Sequence, residues 1–142
     1  ELFEQALERY AEGMGKKSFL RLLEPDASLA DIRKIFDERL ESMCQSGDKR
    51  GCMLCHTAME LAPHDHEIAG VLQKFLRRMS KAFSIGLENA RQKGEVKEGL
   101  ELHDAGEFLT GALFGLVVLA RAGFPKTTLN AFVDNTLAAV AR

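Results

Sequence analysis

Tryptophan is absent from this 142-residue chain, tyrosine occurs once, and proline and cysteine three times each. So few prolines, beside 12 glycines and 46% apolar residues, exclude disorder, a collagen-like repeat and a low-complexity linker. Three cysteines are an odd and small number, which argues against a disulfide scaffold and for a reducing compartment. Charge of one sign is also lacking: 19 lysines and arginines against 21 aspartates and glutamates leave −2. No segment is strongly basic, and phosphate binding needs concentrated positive charge, so the chain is not expected to grip DNA by itself. The longest uncharged run, Phe108 to Ala120, is 13 residues, short of the roughly 20 that span a bilayer. Glu1, Glu4 and Glu8 stand where a signal peptide would be basic. The expectation is one soluble cytoplasmic domain, residues 1–142, large enough for a single core.

What is present is helical periodicity. Apolar residues recur at one-face spacing from Leu2 through Ala6, Leu7, Tyr10 and Met14, weakened by Gly13 and Gly15. A short segment, Phe19 to Leu23, stops near Pro25. Ser28 followed by Asp31 reads as a helix start, before a stripe of Leu29, Ile32, Ile35, Phe36, Leu40 and Met43. Gly47 to Gly51 reads as a loop, and Cys52 to Ala62 as a compact apolar helix ended by Pro63. The longest stripe runs from Ile68 to Leu87 and closes near Gly94. Asp104 precedes an apolar helix closed by Gly123 and Pro125, and Thr127 or Thr128 is the expected cap of a last helix over Leu129, Phe132, Val133, Leu137 and Val140. The expected fold is an all-α antiparallel bundle of about six helices. The helix at 108–120 is apolar nearly all round and carries Gly106, Gly111 and Gly115 where another helix backbone can approach. In so small a chain it calls for a partner on several faces, which a neighbouring subunit or the chain's own bundle can supply.

Residues that carry chemistry are sparse. Cys52 and Cys55 form a CxxC, with Cys44 upstream and His56, His64 and His66 downstream. No second pair completes a tetrahedral metal site, which leaves a redox-sensing thiol or ordinary small buried residues. His64-Asp65-His66 is a metal-binding turn or a solvated helix start. No nucleophile elbow and no glycine-rich phosphate loop is present, so the expectation is a non-enzyme without cofactor or metal. Five methionines and nine phenylalanines supply soft apolar bulk, which fills cores and also lines adaptable pockets for apolar or aromatic small molecules.

Three stretches carry a resemblance. Gly51-Cys52-Met53-Leu54 with Ala58, Glu60 and Leu61, then Ala90 to Val96 (ARQKGEV), then Phe108 to Gly123 (FLTGALFGLVVLARAG), are similar in order and spacing to elements of TetR-family transcriptional regulators. The resemblance implies an effector-binding and dimerisation domain in the cytoplasm. Residues 1–14 would be the helix linking it to an N-terminal helix-turn-helix domain, which this chain is expected to lack; operator DNA would then be reached only through that domain. Residues 103–121 and 126–141 would pair with their symmetry mates in a homodimer, giving Phe108, Gly111, Gly115, Val118, Leu129, Phe132, Val133 and Leu137 as interface residues. The effector pocket would be walled by Met14, Phe36, Met43, Cys55, Met59, Phe75, Met79 and Phe114. The implied function is a ligand-responsive regulator, expected to repress. A thiol sensor using Cys52 or Cys55 in the same fold, and a stand-alone bundle unrelated to transcription, are the alternatives.

Overall fold

The computed structural model describes residues 2–13, 16–45 and 53–142; Met14, the 47–51 loop and Cys52 lie outside the described residues. The helices are α1 (Leu2–Gly13), α2 (Lys16–Arg21), α3 (Leu29–Gln45), α4 (Met53–His56), α5 (His66–Gln92), α6 (Leu102–Arg121) and α7 (Lys126–Val140). Among the described residues extended pairing is limited to an isolated antiparallel bridge between Val96 and Ala141. The all-α expectation holds.

The helix ends follow local chemistry. At the start of α3 the Asp31 carboxylate accepts the Ser28 backbone N–H at 2.8 Å, the returning half of a capping box. The Asp65 carboxylate accepts from Glu67 and Ile68 N–H at 3.0 and 3.2 Å, so this residue of the His64-Asp65-His66 turn is the N-cap of α5. Gly94 closes α5 at φ 74°, with Glu95 N–H on the Ala90 carbonyl and Gly94 N–H on that of Arg91, and Gly123 closes α6 in the same way. Both are left-handed C′ positions, where a Cβ would add strain.

Three details differ from the sequence expectation. The helix expected over 52–62 is broken into α4, a π-helical turn at Thr57–Leu61 and a 3₁₀ turn at Ala62–His64. Pro63 has no N–H to give the Met59 carbonyl, and Ala62 N–H bonds instead to the Thr57 carbonyl, five residues back. The N-cap of α6 is Glu101, whose carboxylate accepts His103 N–H at 3.1 Å, so Asp104 lies inside the first turn. For α7 the cap is Pro125, whose carbonyl accepts from Thr128 and Leu129, and Thr127 and Thr128 are already helical.

Two separate apolar clusters form. The larger one packs Leu22, Ile32, Phe36, Phe83, Leu87, Leu109, Leu116, Val133 and Val140 among α2, α3, α5, α6 and α7. Phe83 stands between Phe19 and Phe36, with ring centroids 5.1 and 6.0 Å away. The smaller cluster joins Leu7 of α1, Leu54 of α4, Leu72 of α5 and Val117 of α6.

Helices α5 and α6 make the closest pairing. A Cβ placed on Gly106 would lie 2.3 Å from Ser84 Oγ and 2.4 Å from the Ser80 carbonyl oxygen, so the α6 backbone sits directly on α5. Thr110 donates to the Gly106 carbonyl at 3.0 Å, which leaves the Ser80 hydroxyl as the donor to Thr110 at 2.9 Å. The helix that Gly106 accommodates is therefore the chain's own α5. Gly115 faces Phe132 of α7, and a Cβ on Gly111 would meet nothing within 4 Å.

Candidate functional site

The residues expected to wall a pocket separate into four places. Met43, Cys55 and Phe114 gather, half-buried, with Tyr10, Met53 and Leu76 around Leu7, Leu54, Leu72 and Val117. This second cluster draws on α1, α3, α4, α5 and α6, and its rim is soft: two methionines, a thiol and a phenylalanine. Phe36 is fully buried in the main core instead, because on α3 it lies on the face turned to Phe83. Met59 is 79% exposed, since the π turn carries it outward. Met14 lies outside the described residues.

Phe75 and Met79 line a different feature, an open groove of about 440 Å³ between α2 and α5. Phe19, Leu20 and Leu23 form its α2 side, Ala82 and Ile85 continue its α5 side, and Lys16, Arg78 and Lys81 supply charge. Its α2 wall is not legible in the sequence because Phe19 to Leu23 is too short to display a face of its own. The signal is four large apolar residues within five positions, Phe19, Leu20, Leu22 and Leu23, of which the fold buries only Leu22 completely.

The thiols lie in different surroundings, and Cys52 is outside the described residues. Of the described cysteines, Cys44 is exposed and Cys55 half-buried. Cys55 lies among the apolar residues of the second cluster. A further group, His103, Asp104 and Glu107, brings ligand-type atoms within 4.8 Å of one another on the exposed start of α6. Carboxylates at that position are also what a helix dipole favours.

On the outside of α6, Asp104, Phe108, Gly111, Gly115 and Val118 follow a four-three-four-three spacing. Phe108 and Val118 are 47% and 58% exposed, and Gly111 is open. The resemblance also implies Leu129, Val133 and Leu137 as interface residues, but all three are buried in the chain's own core, and Phe132 is half-buried against Gly115. The apolar stripe of α7 is the one its own bundle covers. Its outward row is small and polar: Ala131, Asn135 and Ala138.

This arrangement is the helical frame of bacterial transcriptional regulators. It superposes with a TM-score of 0.70 on a chain assigned as a TetR transcriptional regulator from Rhodococcus sp. RHA1, at 25% identity over 99% of this chain and 75% of that one. It also shares the fold of SmeT, the repressor of the Stenotrophomonas maltophilia multidrug efflux pump SmeDEF: TM-score 0.67, 19% identity, 99% and 83% of the two chains. In sequence it is 27% identical over 138 residues to YezE, an uncharacterized HTH-type transcriptional regulator of Bacillus subtilis (strain 168), covering 96% of this chain and 71% of that protein. Residues 28–141 match the tetracyclin repressor-like C-terminal domain, and the chain belongs to the TetR family of transcriptional regulators.

Proposed function

We propose that the chain is the effector-binding and dimerisation domain of a ligand-responsive regulator, acting as a repressor, with the effector seated in the second apolar cluster. The observation that carries this reading is that α1 is anchored in that cluster and not in the main core, through Leu7 against Leu54, Leu72 and Val117. A small apolar or aromatic ligand wedged among Met43, Met53, Cys55 and Phe114 changes what Leu7 packs against, and so changes where α1 points. Residues 1–14 then act as the link to a DNA-reading domain, in the layout that the family resemblance implies. Such coupling works only if the ligand prefers one position of α1.

The same reading makes the chain a homodimer. The exposed row Phe108, Gly111 and Val118 on α6, with the exposed Ala131 and Ala138 on α7, is apolar, shallow and suited to a two-fold helix pairing. The apolarity of α6, enough by length and composition for a membrane span although nearly half of it is buried, is accounted for by a core on one side and a second subunit on the other.

Native mass spectrometry of the gently purified chain tests both parts. A species at twice 15.7 kDa, carrying extra small-molecule mass that Met43→Ala or Phe114→Ala releases, is the expected result. A bare monomer at micromolar concentration overturns the pairing, and bound mass indifferent to both substitutions overturns the effector site.

A further inference from the structure

The groove between α2 and α5 has no part in that reading, and its composition is specific. Leu20 and Leu23 are large apolar side chains left 52% and 44% exposed, facing Phe75 across the hollow. Around this apolar floor stand Lys16, Arg78 and Lys81, and no carboxylate belongs to the lining among the described residues. On α2 and α3, Arg21 pairs with Asp26, Arg33 with Asp134 and Lys34 with Glu38, whereas Lys17 and Arg39 have no ion-pair partner among the described residues. None of the three groove cations has an ion-pair partner among the described residues, and Arg78 lies over the Phe75 ring, 5.7 Å from its centroid. In a chain of net charge −2, three cations without ion-pair partners round one apolar hollow favour an anionic occupant.

We propose that this groove is a ligand site of its own, taking an amphiphilic anion: an acyl or aryl chain ending in a carboxylate or sulfonate. The apolar part covers Leu20, Leu23 and Phe75, and the head group is reached by Arg78 and Lys81, three residues apart on one face of α5, with Lys16 at the α2 side. Each simpler occupant leaves something unmatched. An inorganic anion leaves the leucines in water, a neutral apolar molecule leaves the cations without a counter-charge, and a cationic amphiphile is repelled. The volume of about 440 Å³ is in the range of small-molecule sites rather than that of a peptide-binding surface.

Calorimetric titration of the purified chain with decanoate, decanol and decyltrimethylammonium, each below its micelle-forming concentration, tests the assignment without any operator or effector. Decanoate is expected to bind once per chain, at least tenfold tighter than decanol, with no binding of the ammonium compound. Arg78→Glu with Lys81→Glu should weaken decanoate at least tenfold, and Leu23→Asp should do the same, both with unchanged helical circular dichroism. Equal affinity for the three probes overturns the site. So does decanoate binding that survives these substitutions but is lost in Phe114→Ala, which would place the ligand in the second cluster. A Leu20→Asp, Leu23→Asp variant that turns a dimer into a monomer in sedimentation equilibrium also overturns it, because a second copy then covers the groove.

Discussion

The Glu95 carboxylate accepts the backbone N–H of Leu29 at 3.1 Å, joining the turn after α5 to the first residue of α3 across 66 positions of sequence. The same residue's carbonyl takes the Arg142 N–H at 2.9 Å, and its neighbour Val96 is buried and bridged to Ala141. The short motif Gly94-Glu95-Val96 thus has a separate task for each residue: a left-handed helix end, a cap for another helix, and a core side chain. Glu95→Ala is expected to cost about 1 kcal/mol, the usual value of a lost helix cap, and Glu95→Gln, which keeps an acceptor, clearly less. Urea unfolding of the three proteins gives the comparison.

The glycines of α6 should respond in opposite directions. Gly106→Ala forces a Cβ against the Ser80 carbonyl and the Ser84 hydroxyl, an overpacking expected to cost about 1–3 kcal/mol. Gly111→Ala meets nothing within 4 Å in the chain and gains helix propensity, about 0.5–1 kcal/mol. Thermal melts followed by circular dichroism, in dilute protein, should move down for the first and up for the second.

Val118→Asp places a charge at the C-terminal end of the exposed α6 row, 58% exposed and away from the chain's own core. Sedimentation equilibrium is expected to show a folded monomer in place of the proposed dimer. An unaltered dimer would move the pairing surface elsewhere.

Asn89 donates to the carbonyls of Leu22 and Glu24 at 3.0 and 2.9 Å, fastening the α2–α3 turn to α5. Asn89→Ala removes both bonds and is expected to cost about 1–2 kcal/mol, with faster hydrogen exchange confined to the turn around residues 22–27.

Asp26, fully exposed, is held below the ordinary aspartate pKa, first by its hydrogen bond from Arg21 and then by that residue's charge. A carboxylate depressed in the folded state stabilises above its unfolded pKa of about 3.9 and loses that contribution as pH falls through the lower folded value. The stability gap between the parent and Asp26→Asn, small at pH 6, should therefore close on acidification below about pH 4. Denaturant midpoints across pH 3–7 check the sign.

Of the described thiols, Cys44 should react first with a water-soluble disulfide reagent, ahead of Cys55 in its apolar surroundings. Mass-mapped labelling over time orders the two sites.

Much of the fold is legible in the sequence because long amphipathic stripes allow few alternatives. Ile32, Ile35, Phe36 and Leu40 are buried as their spacing requires, and Gly94 and Gly123 mark helix ends. The π turn is not legible, since a one-residue widening at Thr57–Leu61 leaves the apolar pattern nearly unchanged until Pro63 is counted as a missing donor. The site is less legible than the fold. A stripe identifies a buried face without saying which neighbour buries it, so Phe36 and Met43 look equivalent on α3 although one enters the main core and the other the second cluster. Leu129, Val133 and Leu137 illustrate the same ambiguity on α7. The α2–α5 groove joins residues some 55 positions apart, a distance over which periodicity carries no information.

The division of the interior into two clusters also sets how the molecule comes apart. Among the described residues of α1, Leu7 is the buried one, and nothing of α1 or α4 belongs to the larger cluster. Those two helices can open as a unit while α3, α5, α6 and α7 stay folded, giving a sub-global unfolding step below the global one. Hydrogen exchange should therefore find α1, the element proposed to transmit the signal, losing amide protection first, and that looseness is what a proposed ligand of modest affinity would work against.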